Sequence, residues 1–129
     1  HGKWVRSETA FLDDTPIQTT HTPIVVGGYV DAAFRRAVRF GAGWYGFNQD
    51  PARLQAMLAR LDGAFAKAER ARPDDFQIIV TPPMAMPVDA MPAYAEAGVD
   101  RLVVNLGSQR PERVAERMKE LAALVRRAA

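Results

Sequence analysis

Short apolar runs alternate with amphipathic segments about four times along this chain, at roughly 25-residue spacing, and nothing else constrains its fold as strongly. Pro23-Ile24-Val25-Val26 is closed by Gly27-Gly28, and Gly43–Phe47 reads GWYGF. Asp75–Thr81 reads DFQIIVT and is stopped by Pro82-Pro83, which remove two backbone donors. Val99–Leu106 reads VDRLVVNL and runs into the turn Gly107-Ser108. Runs this apolar predict strands buried on both faces, as in a parallel sheet joined by right-handed crossovers.

The intervening segments carry helical period. From Asp31 to Phe40, Ala33, Phe34, Ala37 and Val38 share one side, Arg35, Arg36 and Arg39 fall largely on the other, and Gly41 ends the helix. Asn48-Gln49-Asp50-Pro51 offers a side-chain acceptor before a proline, which predicts a helix start. Leu54, Met57, Leu58, Leu61, Phe65 and Ala68 then form its buried stripe. Ala90–Ala97 allows a short helix with Pro92 in its first turn and Gly98 beyond its end. The last helix opens at Pro111, is expected to bury Val114, Met118, Leu121 and Val125, and ends in Arg126 and Arg127. Residues 1–22 lack any stable period and predict a loop or arm leading into one α/β domain, 23–129.

Composition removes several classes of function. There is no Cys, so disulfides, thiolate nucleophiles and Cys-containing metal sites are excluded. His1 and His21 are the only imidazoles, too few and too poorly placed for a histidine metal site or a Ser/His/Asp triad; no metal is expected. The 17 basic and 15 acidic residues alternate along the chain to a net charge of +2, and Arg35, Arg36 and Arg39 are the nearest approach to a basic stripe. A pI of 9.3 therefore reflects arginine content, and no nucleic-acid partner is expected. With 25% charged residues and no apolar run near the roughly 18 residues of a membrane span, a cytoplasmic chain without membrane contact is expected. A start at His1, with no initiator Met and no secretory pattern, leads us to expect a processed or excised piece.

A small doubly wound sheet and part of a (β/α)8 TIM barrel both satisfy this periodicity. Specific residues favour the second. PIVVGGYVDAAFRRAVRFGAGWYGF (Pro23–Phe47) and YAEAGVDRLVVNL (Tyr94–Leu106) resemble the C-terminal half of the bacterial luciferase-like monooxygenase and F420-dependent oxidoreductase family. The likeness lies in a P-I-x-V-G-G strand, an A-x-R-R-A-x-R-x-G helix, a G-x-G-W turn and an A-G-V-D-R-L-V strand; the lead-in with Pro16, Gln18 and Pro23 is similar too. Ala42 stands where that family usually has Asp. Such barrels run to roughly 250 residues. The resemblance therefore implies strands five to eight of a TIM barrel, half of an oxidoreductase and inactive alone. It implies the deazaflavin coenzyme F420, with FMN as the alternative, a small-molecule substrate, and either a missing N-terminal half-barrel or self-association as an oligomer.

Gly27 and Gly28 end a strand just before a helix N-terminus. Without Cβ atoms, and with the N–H groups of Gly28, Tyr29 and Val30 and the helix dipole behind them, this turn could cradle a phosphate or simply close tightly. The resemblance places the coenzyme phosphate on it, at Gly27, Gly28, Tyr29 and Val30. Arg36 is expected to face solvent or the neighbouring helix rather than an anion, and one of Trp44 and Tyr45 is expected in the packing. Met84, Met86 and Met91 are expected as loop cover over the barrel end, and Asn105, Ser108 and Gln109 serve either substrate contact or the turn. No carboxylate pair and no acid beside a histidine stands out, so no catalytic residue is assigned. The alternative function is a non-catalytic half-barrel, binding phosphate or serving assembly.

Overall fold

The computed structural model describes residues 22–84, 86–107 and 110–128. The arm at 1–22, apart from Thr22, and the candidates Ser108 and Gln109 lie outside the described residues, as does the side chain of Arg127. Four strands form one sheet: β1 (Val25–Gly27), β2 (Gly43–Phe47), β3 (Gln77–Thr81) and β4 (Arg101–Leu102). They pair in the order β1-β2-β3-β4, and every pair is parallel. A doubly wound sheet reverses strand order at a switch point. No reversal occurs here.

Helix α1 (Asp31–Phe40) links β1 to β2, and α2 (Pro51–Lys67) links β2 to β3. A 3-10 turn (Val88–Ala90) and α3 (Met91–Glu96) precede β4, and α4 (Pro111–Ala128) follows it. The α2 start is built as its sequence predicts. Asp50 accepts the Arg53 N–H at 2.9 Å, and Pro51 fills a position whose N–H the helix cannot use.

Strand alternation sorts the side chains into two faces. Val26, Trp44 and Ile78 stand in register on one face with Val80, and they join Phe34, Ala37 and Val38 of α1, Leu54, Leu61 and Phe65 of α2, and Tyr94 of α3 in a single core. The opposite face carries Val25, Tyr45, Phe47, Ile79, Thr81 and Arg101 by register, and Val103 by alternation. Val25 is 41% exposed, Phe47 56% and Val103 45%, while Ile79 and Thr81 on β3 are buried. The expectation of strands buried on both faces is thus corrected: the helices of the core cover one face only.

Two further expectations fail for local reasons. The fourth strand was expected over Val99–Leu106, but β4 keeps two residues because β3, its partner among the described residues, ends at Thr81 before Pro82-Pro83. Backbone bonds from Asp100 N to Ile78 O and from Val103 N to Val80 O mark the limits of that pairing. In α4, Met118 is 56% and Val125 57% exposed, and Val114 and Leu121 are half-buried rather than core. The principal neighbour of α4 is the 3-10 turn, with Arg117 donating to the Met86 carbonyl at 2.7 Å, so among the described residues its apolar stripe finds little surface to pack on. Ala68, the last residue of the expected α2 stripe, sits exposed at the C-cap.

Candidate functional site

A helix that follows a parallel strand starts at the strand's carboxyl end, so the α1 N-terminus lies beside the glycine turn. Gly28 has φ of +123°, and a Cβ there would stand 3.0 Å from Ala33 Cβ, so the turn and its close approach to α1 require glycine. The Gly28 carbonyl accepts from Trp44 Nε1 at 2.9 Å, tying the turn to β2. Tyr29 donates its phenol proton to the Phe47 carbonyl, reaching to the end of the same strand. Val30 is the α1 N-cap and supplies no side-chain cap; its carbonyl takes the N–H groups of Ala33 (2.8 Å) and Phe34 (3.3 Å). The N–H groups of Asp31 and Ala32 have no carbonyl within the helix to meet. Tyr29 and Val30 are exposed beside them.

One charge in this turn was not weighed in the sequence. Asp31 occupies the first helical turn, its Oδ1 2.7 Å from Arg60 Nη2 of α2. The Arg60 hydrogen bond and charge hold the Asp31 carboxyl below its usual range, with Lys67 and Arg35 adding to the effect. The Arg60 guanidinium also lies 5.0 Å from the centre of the Phe34 ring. An acid at a helix start is the common partner of the dipole, and its presence here offsets part of the field an anion would meet.

A second group of side chains shares the open face, from the middle of the strands toward their carboxyl ends. Tyr45 Oη and Thr81 Oγ1 are 2.7 Å apart, bridging β2 and β3. Phe47 is in register with Thr81, and Tyr45 and Ile79 with Arg101. Thr81 and Arg101 escaped the sequence reading, although the alternation around Val80 and Leu102 places them on this face.

The other named candidates separate clearly. Trp44 belongs to the core and Tyr45 to the open face, as alternation requires. Arg36 is exposed. Met86 and Met91 pack in or against the core instead of covering the strand ends, whereas Met84 is 68% exposed near Gly107. Asn105 Oδ1 accepts the Gly107 N–H at 2.8 Å, which gives it the turn role.

Two hollows are also present among the described residues. A groove of about 170 Å³ runs between α1 and α2, lined by Asp31, Phe34, Arg35, Arg60 and Lys67 among others. A polar hollow of about 460 Å³ near the strand amino ends includes Asp62, Arg72, Asp74 and Asp100. Neither contains a residue of the Gly27–Val30 turn. Among the described residues no three His, Cys, Asp or Glu side chains gather to hold a metal, and no helix is long and apolar enough to cross a membrane.

No protein-family model matches the chain. Over 91 residues it is 36% identical to Mb0965c of Mycobacterium bovis and to Rv0940c of Mycobacterium tuberculosis strain H37Rv, both uncharacterized proteins. The same holds for MT0967 of Mycobacterium tuberculosis strain CDC 1551. The match takes in 70% of this chain but 31% of each relative, so the chain aligns with less than a third of the length of the relatives it matches.

Proposed function

We propose that this chain is the C-terminal half of a luciferase-like (β/α)8 oxidoreductase that works with a deazaflavin coenzyme such as F420, or with FMN. The observation that carries the reading is a sheet of four parallel strands in sequence order, with its core helices on one face and Val25, Phe47 and Val103 exposed on the other. That is the arrangement one half of a closed barrel would have. In this reading Gly27, Gly28, Tyr29 and Val30 hold the coenzyme phosphate.

The turn suits that role in its backbone. Gly28 supplies a conformation other residues resist, and the uncapped Val30 leaves the first N–H groups of α1 to an external acceptor. Asp31 opposes it in part, with Arg60 drawing off some of its charge. When bound, the coenzyme would supply hydride transfer at its ring, and the protein's share is to bind and orient. An oligomer, or union with an N-terminal half-barrel, would cover the exposed residues of that face.

Comparing FMN with riboflavin tests the phosphate contact, since the two differ only in that group. Fluorescence titration of the purified chain should give FMN at least about tenfold tighter binding, roughly 1.4 kcal/mol. F420 should bind in the same experiment. Equal affinity for FMN and riboflavin would return the glycines to a structural role. A non-catalytic assembly module is the second reading; the exposed Val25, Phe47 and Val103 favour it, and failure of both coenzymes to bind would select it.

A further inference from the structure

We propose that the hydroxyl pair of Tyr45 and Thr81, together with Arg101, forms an open-face site for a small 2-oxo or 2-hydroxy carboxylic acid. These are the polar groups of the carboxyl half of a sheet face whose other members, Phe47, Ile79 and Val103, are apolar. The two hydroxyls lie 2.7 Å apart, so one donates to the other; Thr81 is buried, so the single proton left to offer outward is at the half-buried Tyr45. That proton suits the oxygen next to a carboxylate.

Arg101 is in register with Ile79, which is in register with Tyr45, so the guanidinium starts two strands away, about 10 Å at the usual strand spacing. Its side chain can span most of that distance across Ile79. Arg101 makes no ion pair with any described residue, whereas Arg60 and Arg72 pair with Asp31 and Asp62. A planar fork with five donors matches a carboxylate in two-pronged fashion. Ile79 gives the site an apolar floor, and Phe47 stands at its outer end.

This site depends on the strand carboxyl ends being the ligand side, and not on where a phosphate binds. Backbone-amide NMR of the full chain separates the two. Pyruvate and lactate should shift the amides of Tyr45, Ile79, Thr81 and Arg101 saturably, while methyl pyruvate, which lacks the charge, should bind at least about tenfold more weakly. Arg101→Gln should lose that preference for the charged probe, and Arg101→Lys should keep part of it. Tyr45→Phe and Thr81→Val should weaken both probes severalfold, with thermal melting as the check that each variant is folded. Inorganic phosphate, titrated separately, should move Gly28–Val30 and leave Arg101 alone. No saturable shift with either acid, or an Arg101→Gln variant that binds pyruvate unchanged, overturns the site whatever phosphate does. Binding of pyruvate with Gly28–Val30 silent to phosphate would sustain it and overturn only the coenzyme turn.

Discussion

At Gly28 the φ of +123° and the 3.0 Å approach to Ala33 act together, whereas at neighbouring Gly27 an added Cβ would find only ordinary contacts with Tyr45 at 3.7 Å. Gly28→Ala should therefore lower stability by about 1–3 kcal/mol in urea unfolding. Gly27→Ala should change it far less. Any test of phosphate binding by substitution at Gly28 confounds the ligand with the fold, and Asp31 is the cleaner lever. Its carboxyl is held below the usual value near 3.8 in the folded chain, so its contribution is present above the unfolded pKa and lost as pH falls through the lower folded one. Asp31→Asn should flatten the stability curve below about pH 4, an effect that added salt also weakens because the pair is exposed. The same variant should tighten FMN binding severalfold by removing a like charge beside the phosphate. An unchanged FMN affinity would place the phosphate elsewhere.

Helix α2 and helix α4 have similar apolar stripes in sequence and different fates in the fold. Leu54 is fully buried between α2 and the sheet, while Met118 on α4 is 56% exposed. Leu54→Ala should cost about 2–5 kcal/mol in equilibrium unfolding, and Met118→Ala less than about 0.5. A large loss at Met118 would mean that α4 is packed in solution. At the α2 start, Asp50→Ala should cost about 1 kcal/mol through loss of the Arg53 cap. These elements also show what the sequence discloses. The α1 and α2 stripes, the Asp50-Pro51 start and the parallel order follow from local period and cap chemistry, which act within a few residues. The shortness of β4 and the bare stripe of α4 do not, because they depend on whether a partner surface exists. Of the site, the glycine turn was legible from Gly27-Gly28 before a helix. The Tyr45–Thr81 pair needs the register of two strands, and Asp31 needed a partner, Arg60, lying on another helix.

For the molecule as a whole, Val25, Phe47 and Val103 on one sheet face and Ile24 beside the β1 edge are exposed apolar side chains of the kind that drive association. Light scattering at low micromolar concentration should show a homodimer or larger species, and Phe47→Asp should dissolve it; a monodisperse 14.2 kDa particle would count against association. The sequential order of the strands has another consequence. Each strand leans only on its neighbours in the chain, so protection against solvent hydrogen exchange should be graded across the sheet and not uniform. Amides of β2 and β3, paired to each other over five residues and each with a further strand on its other side, should exchange slowest. Those of β1 and β4, with three and two residues and one partner apiece, should open first, so the chain unravels from its rims inward.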